Sequence, residues 1–225
     1  MTDGEAAEPI AVDAMGGDGA PQSVIRGALD AINDYDIPVH LVGPHKQLRR
    51  ELGRFRTLPN GLELVDAPEV VGMNDPAVSV LRGKRRSSLN ISAELVADGR
   101  AAAMVTAGNT GAAWVAAKSA LGMIDGVDRP ALAAVVPKNE GHTLVLDVGA
   151  NVECKPIQLV QFAVMGSFYA ESVLGKDEPR VGLMSVGEEE NKGGPQVRER
   201  NRLLKACLLY TSDAADDPFE CRSRW

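Results

Sequence analysis

Apolar and polar positions along residues 9–206 fall into short blocks that alternate between two periods. Stretches at 9–13, 39–43, 62–66, 102–107, 131–136, 143–148 and 180–186 are apolar almost throughout, as in "VHLVG", and predict strands. Between them, segments 21–34, 46–54, 87–99, 110–122, 156–174 and 195–206 space their apolar residues three or four apart, and predict helices. Strands that are apolar at nearly every position, rather than every second one, must be covered on both faces. The pattern therefore predicts an α/β class: a mainly parallel sheet with helices on both faces, an α/β/α sandwich in one domain. No repeat and no low-complexity linker interrupts it.

The pattern stops at Ala206. In "CLLYTSDAADDPFECRSRW", residues 207–225, neither period continues, and Cys207, Cys221 and Trp225 concentrate there. The expectation is an incomplete α/β domain over 1–206 followed by a foreign or disordered tail. With aromatic residues at 4%, the core must be built from Val, Leu, Ile and Ala. No apolar run is long enough to span a bilayer, and the opening "MTDGEAAEP" lacks the apolar core of an export signal, so a cytoplasmic chain is expected. A formal net charge of -7 disfavours nucleic acid as the partner, because phosphate-backbone binding requires a broad basic face.

Ligands of open α/β sheets bind where strands exit into loops and helix N-termini. Four such exits stand out: "VDAMGGDGAP" at 12–21, "VTAGNTGA" at 105–112, "LDVGANVECKP" at 146–156 and "SVGEEENKGG" at 185–194. Gly16, Gly17 and Gly19 give the first of these unusual backbone freedom, so that something can approach the main chain closely. In the second, Asn109 or Thr110 can cap the following helix and leave first-turn N–H groups for an anion, although an ordinary capped helix start reads the same way. "LRGKRRSS" at 81–88 sets Arg82, Lys84, Arg85 and Arg86 before the hydroxyls of Ser87 and Ser88, which suits a phosphate as well as a solvated charge run. Lys46, Arg49, Arg50, Arg54 and Arg56 read as an exposed helix face.

Asp147 and Asn151 suit turn positions, and Cys154 reads as structural because no histidine motif accompanies it. There is no G-x-G-x-x-G and no G-K-[ST], and His40, His45 and His142 have no metal-ligand spacing. No cofactor and no metal are expected.

Six motifs, "AVDAMGGDGAP", "KRRSSL", "AGNTGA", "IDGVDRPALA", "LDVGANVECKP" and "RVGLMSVGEEENKG", resemble in order and spacing the bacterial phosphate acyltransferases of phospholipid synthesis, the PlsX family, over about residues 9–206. The resemblance implies a fold like that of phosphotransacetylases and isocitrate dehydrogenases. It implies transfer of a fatty acyl group from acyl carrier protein to inorganic phosphate, a homodimer, and peripheral membrane contact. Chains of that family run well past the equivalent of Ala206, and the region credited with membrane contact lies there, so this chain is expected to be the N-terminal part only.

Acyl transfer from a thioester to phosphate needs a held dianion, donors for the tetrahedral oxyanion and a departing thiolate, but no obligatory strong base. On that basis Gly16, Gly17, Asn109, Thr110 and Gly111 are expected to supply backbone or amide contacts to phosphate. Lys84 and Arg85 would neutralise its charge, with Ser87 and Ser88 as hydroxyl partners. Asp13, Asp18, Asp147 and Asn151 would orient the loops, with Asp147 the candidate for moving a proton. The basic stretches at 82–86 and 46–56 are candidates for steering an acidic carrier. An acyl-coenzyme A donor, or a non-catalytic phosphometabolite-binding fragment, would use the same residues.

Overall fold

The computed structural model describes residues 7–139, 141–149, 154–183 and 210–213. The chain divides into two compact units, Met1–Gly122 and Met123–Trp225, where the pattern predicted one domain.

The first unit holds four strands: β1 (Ile10–Asp13), β2 (Val39–Gly43), β3 (Leu62–Asp66) and β4 (Ala103–Val105). They pair in parallel in the order β3-β2-β1-β4. Helices α1 (Gln22–Tyr35) and α2 (His45–Leu52) make the crossovers to β2 and β3. The chain then returns through α3 (Ser79–Arg82) and α4 (Ser88–Ala97) to lay β4 on the far side of β1, before α5 (Thr110–Leu121). The order thus reverses between β1 and β4, the position at which sheets of this type open a crevice.

Local sequence explains the elements. In α1, Ile25, Ala28, Leu29 and Ile32 recur at i, i+3, i+4 and i+7 and are all buried. It stops at Asp36, whose φ of 56° is left-handed. All five residues of β2 are buried, as an inner strand requires. Its successive side chains divide between two cores: Leu41 joins Ile25, Leu29 and Leu48 beneath α1 and α2, while Val42 joins Ala11 and Leu95 beneath α4. A third cluster packs α5 on α4 through Leu89, Ala93, Ala112 and Ala116. Each fully buried leucine or isoleucine contributes about 1.5–3 kcal/mol.

In the second unit β5 (Ala133–Pro137) and β6 (His142–Leu146) form the one antiparallel pair among the described strands, whose other pairings are parallel, so the arrangement is mainly parallel as expected. The connection over residues 138–141 is too short for a parallel crossover, which needs a dozen residues or more. Helix α6 (Pro156–Ser172) opens on Pro156, and Gln158 reaches back to accept from the Lys155 N–H at 2.9 Å. It lies so close to β6 that a Cβ at Gly166 would collide with the Leu146 side chain. Strand β7 (Val181–Leu183) pairs in parallel with β8 (Tyr210–Asp213), which falls inside the 207–225 tail where no period is legible. The predicted helix at 195–206 and the end of the predicted strand at 180–186 lie outside the described residues. Among the described residues, no helix is long and apolar enough to cross a membrane.

Candidate functional site

The exits of β1 and β4 meet at the reversal of strand order. Asp13 closes β1 and is 3% exposed. Its Oδ1 accepts from the Met15 N–H at 3.1 Å, and its Oδ2 accepts from the Thr106 hydroxyl at 2.8 Å. Thr106 Oγ1 in turn accepts from the Gly108 N–H at 3.0 Å. That bond turns the chain away from the sheet and ends β4 at Val105, short of the predicted 107. The two turns touch through their backbones: a Cβ at Gly16 would sit 2.7 Å from Gly108 N and 2.8 Å from Asp13 Oδ2. Gly17, at φ 99°, completes the turn in a conformation that favours glycine. Asp18 lies beyond it, exposed.

Asn109 is the N-cap of α5, its Oδ1 accepting from the Ala112 N–H at 3.0 Å. Its Nδ2 donates to the carbonyls of Gly72, Met73 and Asp75, at 3.3, 3.1 and 2.9 Å. The side chain is therefore engaged in capping and in holding the loop that follows β3, a correction to its expected amide contact with phosphate. Thr110 and Gly111 are exposed in the first turn of α5, where N–H groups have no intrahelical acceptor. The macrodipole adds a partial positive charge there.

Lys84 Nζ donates to the Val70 carbonyl at 2.7 Å and pairs with Asp75 Oδ2 at 2.5 Å. Its charge is thus matched by a carboxylate in this structure. The ammonium hydrogen bond, followed by that of the Gly72 N–H, holds the Asp75 carboxyl below its ordinary value of 3.8. A depressed carboxyl stabilises the fold above its unfolded value and loses that contribution as pH falls through the lowered folded value. We expect the melting-temperature gap between wild type and Asp75→Asn to stay constant from pH 5 to 8 and to close only below pH 3.8. Thermal melts across pH 2–8 check this.

Arg85 is exposed and donates from Nε to the Leu81 carbonyl at 2.6 Å. Ser87 and Ser88 depart from expectation: both are buried, at 0% and 1% exposure. Ser87 caps α4 by accepting from the Asn90 N–H at 3.3 Å, and the Ser88 N–H donates to the Glu69 carbonyl. The capping hydroxyl of Ser87 faces its own helix and Ser88 is buried, so neither is open to a substrate. Asp147 belongs to the second unit, at φ 63°, where its Oδ2 accepts from the Cys154 thiol at 3.2 Å. Asn151 lies outside the described residues. On α2, Glu51 is buried and paired with Arg54 at 2.8 Å, while Arg49 and Arg56 line a shallow groove with Phe55 and Leu58.

The model of the family described as fatty acid synthesis protein matches residues 9–212. The chain belongs to that family. Among curated relatives, it is 48% identical over 196 residues to the phosphate acyltransferase of Geobacter sulfurreducens, covering 87% of this chain and 57% of the relative. To the phosphate acyltransferase of Pelotomaculum thermopropionicum it is 53% identical over 198 residues, again 87% and 57%. The chain thus spans less than three-fifths of the length of these relatives. Among solved structures, a phosphotransacetylase from Streptococcus pyogenes superimposes with a TM-score of 0.65 at 17% identity, over 92% of this chain and 68% of that one. The EutD phosphotransacetylase from Staphylococcus aureus gives 0.62 at 18%, over 90% and 64%. These likenesses show the fold, a phosphotransacetylase-like α/β arrangement.

Two residues of this family member's site were not predicted from sequence. Thr106 joins the two turns, and Asp75 ties Lys84 to the loop that Asn109 holds. A threonine directly after a strand and before "AGN", and an aspartate in "MNDP", are the signals that mark them.

Proposed function

We propose that the chain transfers a fatty acyl group from acyl carrier protein to inorganic phosphate, yielding acyl phosphate for membrane phospholipid synthesis. The observation that carries this reading is the contact of the Gly16–Gly17 turn with the 106–108 turn at the reversal of strand order, beside the open first turn of α5. Membership in a fatty acid synthesis family and relatives named phosphate acyltransferase support it.

N–H groups of Gly17, Thr110 and Gly111 hold the phosphate dianion, and Arg85 adds charge from the rim. One phosphate oxygen attacks the thioester carbonyl carbon. A C–O bond forms, the carbonyl electrons move onto oxygen, and the tetrahedral intermediate collapses with cleavage of the C–S bond. The carrier thiolate leaves and takes a proton from water; a thiol with pKa of about 8.5 departs readily without a strong acid. The working assembly is a homodimer in the cytoplasm with peripheral membrane contact, so that a hydrolysable acyl phosphate is released near its next use.

The full chain, incubated with phosphate and hydroxylamine, is offered acyl carrier protein or coenzyme A thioesters of one fatty acid. We expect hydroxamate to form in proportion to the chain, to require phosphate, and to form faster from the carrier. Faster formation from the coenzyme reassigns the donor. Phosphate binding without hydroxamate from either donor leaves a binding module and removes the transfer reaction.

A further inference from the structure

We infer that Thr106 is a positioning residue of the phosphate site, acting through its hydroxyl to hold the two glycine turns at the spacing an anion requires. The inference rests on the phosphate reading above. One chain of hydrogen bonds runs from the Gly108 N–H to Thr106 Oγ1 at 3.0 Å, and from the Thr106 hydroxyl to Asp13 Oδ2 at 2.8 Å. The carboxylate continues it through Oδ1 to the Met15 N–H at 3.1 Å. Its two ends lie in the two turns, and a hydroxyl is the group that can accept from one and donate to the other. Linked bonds of this kind strengthen one another where water is excluded, and Asp13 is only 3% exposed.

The position of Gly108 matters because the open N–H groups of Thr110 and Gly111 follow two and three residues later. The capping of Asn109 transmits any shift of Gly108 into that turn. Close packing leaves little room for a substitute arrangement: a Cβ at Gly108 would already lie 3.1 Å from Gly16 Cα. Without the Thr106 hydroxyl, the Gly108 N–H and the Asp13 carboxylate each lose a partner. The consequence falls on phosphate, which is held by these backbone groups, and not on the thioester donor. A merely structural role would lower the amount of folded protein while leaving the phosphate affinity of the folded fraction unchanged.

The test compares wild type, Thr106→Val and Thr106→Ser in the full chain by calorimetric titration with inorganic phosphate and by amide exchange at Gly108. Valine keeps the shape without the hydroxyl; serine keeps the hydroxyl. We expect Thr106→Val to bind phosphate about tenfold more weakly, the size of one lost hydrogen bond, and to exchange the Gly108 amide faster. Thr106→Ser is expected to restore both to within about twofold of wild type. Should Thr106→Val fail to fold, Asp13→Ala removes the acceptor at the other end of the same chain and is expected to weaken phosphate to at least the same degree. Wild-type affinity in Thr106→Val or Asp13→Ala overturns the positioning role, as does a serine variant as weak as the valine one. Absence of phosphate binding by wild type overturns the phosphate site itself, and the role of Thr106 with it.

Discussion

Gly16→Ala is expected to be among the most damaging single-methyl additions in the first unit, costing about 2–3 kcal/mol of stability, at the upper end of what overpacking does. The new Cβ would sit 2.7 Å from Gly108 N, 2.7 Å from Thr106 Oγ1 and 2.8 Å from Asp13 Oδ2. None of these is the free end of a flexible side chain. Gly108 N is main chain, and the other two atoms are fixed by their hydrogen bond to each other. Relief requires the two turns to part, which breaks the chain of bonds that joins them and moves the N–H groups on both sides. Phosphate affinity should therefore fall by more than stability alone predicts, by about thirtyfold or more. Thermal melts and a phosphate titration check both effects. Gly27→Ala supplies the control, because a Cβ there meets nothing within 4 Å. A helical Gly→Ala change of that kind is neutral or slightly stabilising. A Gly16→Ala protein that melts and binds like wild type would refute the close approach of the turns.

This contact also marks where reading the chain as a sequence succeeds and where it stops. The β1-α1-β2-α2-β3 run was legible because each element repeats one period long enough to be distinctive, as with Ile25, Ala28, Leu29 and Ile32 on α1. The glycine turn and the Asn109 cap were legible as types, because only certain residues suit those backbone positions. What was not legible is which partner each polar side chain takes. Asn109 donates to residues 34 to 37 positions earlier, and Thr106 reaches Asp13 across 93. Separations of that kind depend on the order of strands, which hydrophobic periodicity does not encode. The same ambiguity hid the burial of Ser87 and Ser88, since a capping serine and a substrate-binding serine occupy the same place in a sequence. The antiparallel β5–β6 pair was missed for another reason. Its strands look alike in either direction, and only the short connection decides between them.

Asn109→Asp separates the two duties that Asn109 performs. Aspartate is as good an N-cap as asparagine, so the bond from the Ala112 N–H survives, and the helix itself should not lose stability. The other oxygen then replaces Nδ2 against the carbonyls of Gly72, Met73 and Asp75. Three donor contacts become three repulsions between oxygens, two of them in exposed positions that water can reach and one part-buried. Leaving a buried acceptor unpaired costs about 1–3 kcal/mol, so the loop after β3 should detach at a cost near 2 kcal/mol. Asn109→Ala should cost about 1 kcal/mol for the cap alone and release the loop more gently. The two variants diverge further on phosphate. The added carboxylate stands one residue before Thr110, and two like charges about 4 Å apart repel by about 1 kcal/mol in water and about 4 kcal/mol at the effective dielectric of a protein surface. Asn109→Asp is therefore expected to lose phosphate binding by at least about thirtyfold, with the loss shrinking as salt screens the charge. Asn109→Ala should lose less and show no such salt dependence. Titrations of both variants at low and high salt distinguish the effects. Equal, salt-independent affinities would place the phosphate away from the first turn of α5, while a stable Asn109→Asp loop, seen as unchanged amide exchange at Gly72 and Asp75, would remove Nδ2 from its role as the tie.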